Sequence, residues 1–243
     1  MIQFIEQLKQ EAAPIIDCIY EDPFIQGLLT LNIEKESIVH YLNADSKFLS
    51  ELAAVYSFLL SKAPTEMKKQ FLKDQLKIIL AGEEEAHHVL RNFAIQTPYD
   101  KKNLFYPAVD YYLKHIYLAV QDHISYAIAA MLPCAYVYRN ISVRALESYN
   151  WPKDHPLKPW FEFYSSGFEE PITFMETWIE ETAANSNIAV KHKLENYFLQ
   201  SVFLERNFFQ KAWVKETWHY GLTYHYSLPA LDTQLSGSHT PQG

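Results

Sequence analysis

Apolar residues recur every third or fourth position along nearly the whole chain, a period that suits helices and no other regular element. Ile5, Leu8, Ala12, Ile15, Ile16 and Ile19 make the first such stripe, which ends at Asp22-Pro23. No strand-like alternation of useful length interrupts the pattern, and no internal repeat is present. Six glycines in 243 residues are too few for a fold of many tight turns. The expectation is therefore an all-α protein of long helices with few connections.

Prolines and capping residues divide the pattern. A short element over 23–31 precedes a long helix over 33–63, with Asn32 as its N-cap and Pro64 as its stop. Thr65 caps the next, expected to run to Gln96 before the Thr97-Pro98 break. The polar stretch 101–107 is turn-like. Helices over 107–120 and 125–149 follow, with Asp122 as the cap candidate between them. Residues 151–159 hold three prolines and read as a loop. Helices over 157–166, 169–184 and 187–218 complete one domain spanning 1–221, and residues 222–243 form a polar tail.

A formal net charge of -8 without a dense Lys/Arg run counts against nucleic acid as a partner, because that binding leans on clustered cations. The longest uncharged stretch, His123 to Tyr138, contains Pro133 and falls short of the roughly 20 apolar residues a membrane span needs. Met1 to Glu11 mix acids and bases in an amphipathic pattern, unlike a signal peptide. The two cysteines, Cys18 and Cys134, are too few for a disulfide framework and fit a reducing compartment. These features lead to the expectation of a cytoplasmic protein with neither a membrane nor a nucleic-acid partner.

Polar residues that interrupt the apolar stripes carry the functional signal. The stripe of the third helix reads Ile38, Leu42, Asp45, Leu49, Leu52, Tyr56 and Leu59; that of the last reads Leu194, Phe198, Ser201, Glu205, Phe208 and Ala212. Between them Ala127, Met131, Cys134, Tyr138, Ile141 and Ala145 place a thiol on an inward face. An unpaired buried carboxylate costs several kcal/mol, so each acid needs a partner or a task. Two inward acids and an inward cysteine suit nucleophilic catalysis, in which a carboxylate moves protons for a thiol. Pro133 removes a backbone hydrogen bond just before that thiol, and a kink is expected there.

Ala130-Met131-Leu132-Pro133-Cys134 with Tyr138 resembles the signature of the TenA/thiaminase II family. Tyr41-Leu42-Asn43-Ala44-Asp45-Ser46 resembles its aspartate segment, and Glu205 with Phe208 its late-helix motif. Phe24-Ile25-Gln26-Gly27, Tyr112 and Tyr164 also fall in register, so the likeness spans Phe24 to Trp213. The resemblance implies a heme-oxygenase-like helical bundle around one deep pocket, working without a cofactor or metal. It implies hydrolysis of an aminopyrimidine, 4-amino-5-aminomethyl-2-methylpyrimidine or thiamin, in a homotetramer. By that likeness Cys134 adds to the ring, Glu205 shuttles protons, and Asp45 binds the amino edge. Phe48, Tyr112, Tyr138, Tyr164 and Phe208 would enclose the ring. Phe48 stands where some members carry a tyrosine, and Lys47 where an aromatic is expected.

Two other readings remain open at this level. A di-iron site would use Glu-x-x-His pairs, and Glu85 with His88 and Glu216 with His219 have that spacing. Ten histidines in a Glu-rich chain give such spacings by chance, however, and the run Glu83 to His88 reads as a solvated face. A pyrimidine-binding regulatory protein would keep Asp45 and the aromatics but would have no need of Cys134 with Glu205.

Overall fold

The computed structural model describes residues 3–81, 84–95 and 106–217. All regular structure among them is helical: α1 (Phe4–Glu21), α2 (Pro23–Thr30), α3 (Lys35–Leu60), α4 (Glu66–Ala81), α5 (Glu84–Phe93), α6 (Pro107–Asp122), α7 (Ile124–Ser148), α8 (Lys158–Ser166), α9 (Glu169–Ala184) and α10 (Ile188–Trp213). The all-α expectation holds. The polar tail 222–243 and the stretch 101–105 lie outside the described residues, as does the 82–83 junction within the single helix expected over 65–96.

Local chemistry explains most of the boundaries. Proline opens α2, α6 and α8, where its missing N–H costs nothing. Thr65 caps α4 through its hydroxyl, which accepts the Lys68 N–H at 3.2 Å, and the Asn187 side chain does the same for Val190 at α10. Two cap expectations are corrected. Asn32 does not cap α3, because Leu31 turns into the left-handed region (φ 58°) and absorbs Asn32 into the connection; Glu34 takes the N-cap position. Asp122 stays inside α6, and His123 caps α7, its ring Nδ1 accepting the Ser125 N–H. α10 also ends earlier than expected, at Trp213, where the chain turns and Lys215 takes φ 56°.

α7 is the axis of the packing. It meets α6, α8, α9 and α10, while α10 also packs on α1, α2 and α3. Every residue from Ser125 to Pro133 is buried, so this half of the helix is enclosed on all sides. The uncharged run at its start is thus explained by a central helix, and no helix among the described residues is long and apolar enough to cross a membrane. α7 continues as helix through Pro133, from which one backbone donor is missing. Ser201 on α10 donates to the Ala130 carbonyl at 2.8 Å, fixing the register of α10 on α7 one turn before Cys134.

At the other end, Ser37 donates to the Trp213 carbonyl at 2.8 Å and Lys215 pairs with Glu34 at 2.6 Å, tying the end of α10 to the start of α3. Gly27 lies under this junction. A Cβ there would meet the Asn32 carbonyl oxygen and Ile33 Cβ at 3.0 Å and the Trp213 ring at 3.2 Å. Gly27→Ala is expected to destabilise by about 1–3 kcal/mol through overpacking. Gly167→Ala, whose Cβ would meet only the Phe163 carbonyl oxygen at 3.6 Å, should shift the melting temperature little. Equal thermal melts for the two variants would refute the close approach at Gly27.

Candidate active site

The three interrupted stripes converge. Asp45 on α3, Cys134 and Tyr138 on α7, and Tyr164 on α8 line one cleft, whose outer wall adds Gln75 and Ile79 of α4 and Met175 of α9. Asp45 is 5% exposed and Glu205 2%, so the two acids are inside, as the stripes require. Cys134 is half-buried at the cleft surface, whereas Cys18 is exposed on α1. Tyr138 joins the site to the core, its hydroxyl accepting from the Tyr41 hydroxyl at 3.0 Å.

Glu205 lies behind Cys134. Burial pushes its carboxyl up to about 8, and the charge of Asp45 adds to the rise. The Tyr112 hydroxyl and the Cys134 thiol lie against it and pull the other way, with less effect. Neither the Tyr112 hydroxyl nor Glu205 Oε1 closes a well-formed hydrogen bond, so both are open to a further polar partner. Burial also raises the Tyr112 and Tyr138 phenols well above their ordinary range, which keeps both as neutral hydroxyls. At neutral pH the site thus holds one ionisable acid retaining its proton beside a thiol.

Not every expected residue reaches the cleft wall. Glu205, Tyr112, Phe48 and Phe208 sit behind it: Phe48 packs on Tyr112 with ring centroids 4.9 Å apart, and Phe208 on Tyr41 at 5.5 Å. Lys47 has a structural occupation, pairing with Asp110 of α6 at 2.9 Å. The run Glu83 to His88 is only partly a solvated face. Glu85 and His88 are exposed, but His87 is buried, with its Nε2 2.7 Å from Asp45 Oδ2. The charges around it mask the signal, which lies in its helical spacing to Leu90 and Ala94, both buried.

The di-iron spacings do not assemble a site among the described residues. Glu85 and His88 face solvent, Glu216 pairs with Lys211 at 2.8 Å, and His219 is outside the described residues. Among the described residues no three His, Cys, Asp or Glu side chains gather in a metal-binding arrangement.

The chain is similar to several known proteins. An aminopyrimidine aminohydrolase of Staphylococcus saprophyticus is 39% identical over 223 residues, covering 90% of this chain and 97% of that protein. The solved TenA homologue protein from P. horikoshii OT3 superposes with a TM-score of 0.72 at 18% identity, over 88% of this chain and 100% of that one. A Shewanella denitrificans domain described as having a heme oxygenase-like fold superposes with a TM-score of 0.61 at 14% identity, over 88% and 94% of the two chains. The heme-oxygenase-like fold is therefore established. With the TENA/THI-4/PQQC family model matching residues 9–215, the chain belongs to that family.

Proposed function

We propose that this protein is an aminopyrimidine aminohydrolase of the thiaminase II kind. It converts 4-amino-5-aminomethyl-2-methylpyrimidine and water into the 5-hydroxymethyl compound and ammonia, with thiamin as a second substrate. The observation that carries this reading is a cleft-facing thiol, Cys134, against a buried carboxyl, Glu205, held near 8. An ordinary thiol titrates at about 8.5, so proton transfer from it to an ordinary carboxylate is uphill by about 5 kcal/mol. At a carboxyl near 8 the same transfer costs under about 1 kcal/mol. Burial of Glu205 thus turns a poor base for a thiol into a matched one.

On this reading Glu205 acts in its ionised form, a minority at neutral pH for a carboxyl near 8; that form takes the Cys134 proton, and the thiolate adds to the pyrimidine ring. The electron pair freed by the loss of aromaticity expels the amine, which leaves as ammonia with the proton returned from Glu205. Water adds to the exocyclic methylene, giving its proton to Glu205, and the thiolate departs as the ring regains aromaticity. Asp45 receives the amino edge of the ring, while Tyr138 and Tyr164, 4.8 Å apart, give it an aromatic wall. Tyr112 offers a neutral hydroxyl to the region between ring and Glu205, and Phe48 and Phe208 hold Tyr112 and Tyr41 from behind. The outer wall of Leu52, Ile79 and Met175 is apolar and suits exclusion of bulk water. A homotetramer and a cytoplasmic location belong to the same proposal; sedimentation velocity reads the first.

Incubating the pure protein with the aminomethyl pyrimidine should release ammonia and the hydroxymethyl product in equal amounts, with thiamin assayed in parallel. Binding without product would favour the regulatory reading instead. Cys134→Ser is expected to abolish turnover and leave the fold intact, whereas Cys18→Ser should behave as wild type. A Cys134→Ser rate above about a tenth of wild type would rule out covalent catalysis.

Glu205 also makes a pH prediction. Its folded pKa of about 8 stands above the unfolded 4.5. Below the unfolded value both states hold the proton and nothing is lost; between the two values only the unfolded chain releases it, so stability falls as pH rises. The loss is complete above about 8 and is on the order of 5 kcal/mol at most. Glu205→Gln should therefore melt higher than wild type, by a margin that grows from pH 5 to pH 8 and then levels, while its kcat collapses. A margin independent of pH would show that the carboxyl does not titrate in this window.

A further inference from the structure

The reaction outlined above leaves one buried polar side chain of the site region without a task. His87, on α5, is 4% exposed and turns inward from a stretch whose neighbours Glu85 and His88 face solvent. Its Nε2 lies 2.7 Å from Asp45 Oδ2, a short hydrogen bond that joins two helices through residues 42 apart in the chain. Lys47, the neighbour of Asp45 on α3, goes to Asp110 instead. The hydrogen bond from His87 engages Oδ2, while Asp45 also forms part of the cleft wall.

A buried histidine often serves only to satisfy itself on the nearest acceptor, and the Leu29 carbonyl does that for His155, 2.8 Å away. His87 differs because its acceptor is a carboxyl group on the cleft wall. A buried carboxyl group needs a polar partner to offset its desolvation. His87 supplies one from α5, whereas the Tyr41 hydroxyl of α3 gives its proton to Tyr138 of α7 at 3.0 Å.

We propose that His87 is the positioning residue for Asp45: it donates Nε2–H to Oδ2, fixes the orientation of the carboxyl group, and leaves Oδ1 for the amino edge of an aminopyrimidine. The ligand class rests on the function proposed above, but the positioning role does not. His87 touches neither ring nor thiol on this view and acts only through Asp45.

The test compares His87→Leu, which removes the donor, with His87→Gln, whose amide can donate from a similar reach. Each is made in the wild-type and Asp45→Asn backgrounds. Two quantities are read: steady-state ammonia release from the aminomethyl pyrimidine, and calorimetric affinity for 4-amino-2,5-dimethylpyrimidine, which has no leaving group. His87→Leu should raise KM and weaken the unreactive ligand about tenfold or more, the worth of a hydrogen bond to a charged group, with kcat changed far less. His87→Gln should restore most of the affinity, and neither variant should add to the loss in Asp45→Asn.

A folded His87→Leu protein with unchanged KM would overturn the proposal and make His87 a core residue. So would additive losses in the Asp45→Asn background. If His87→Leu does not fold, nitrogen NMR of the ring in the wild-type protein decides: a proton on Nε2 through the active pH range supports the proposal, and a bare Nε2 overturns it. Wild-type binding of the unreactive pyrimidine without ammonia release would sink the hydrolase reading and leave the role of His87 standing.

Discussion

Two carboxyl groups inside an apolar bundle are the constraint around which this protein is arranged. Left unpaired and charged, each would cost several kcal/mol, a large part of the stability a domain of this kind has to lose. The two are accommodated in opposite ways. Asp45 receives a hydrogen bond from His87 at 2.7 Å, whereas Glu205 is left with an open oxygen and answers burial by holding its proton. One fold therefore treats its two inward acids differently, and on the proposed mechanism that difference serves the chemistry at Cys134.

Aromatic packing provides the rigidity that such an arrangement needs. Tyr41 is fully buried and meets Phe24 at 5.2 Å, Phe208 at 5.5 Å and Phe209 at 6.2 Å, while its hydroxyl reaches Tyr138. Tyr138 in turn touches Trp160 and Tyr164. Rings offer large contact areas with few rotatable bonds, so the hydroxyls they carry stay where packing puts them. Aromatic residues are 15% of the chain, and here many of them connect the core to the cleft wall.

Much of this was legible in the sequence, for a physical reason: helical periodicity is strict, and an acid on an apolar stripe stands out. Asp45 and Glu205 showed themselves as interruptions, and Cys134 by its place on the α7 stripe. His87 did not, because Glu83, Glu84, Glu85 and His88 around it drown a one-residue inward signal. Cap chemistry misled where tertiary ties compete for the same groups: Asn32 is drawn into the turn after Leu31, and Glu34, the residue at the N-cap of α3, spends its side chain on Lys215. Depth within the site was also hidden. Asp45 and Phe48 share a helix face, yet only the first lines the cleft, because Phe48 is covered by Tyr112 from α6; spacing along one helix says nothing of what the neighbouring helix brings.

The site draws on α3, α5, α6, α7, α8 and α10, and no contiguous fragment carries it. Ser201 and Glu205 share one face of α10, so the hydrogen bond to the Ala130 carbonyl that seats this helix also delivers the carboxyl to the thiol. During synthesis α10 leaves the ribosome after the nine described helices that precede it. On the proposed mechanism Cys134 has no matched base until α10 docks, and a partly made chain would carry a nucleophile that is still inert.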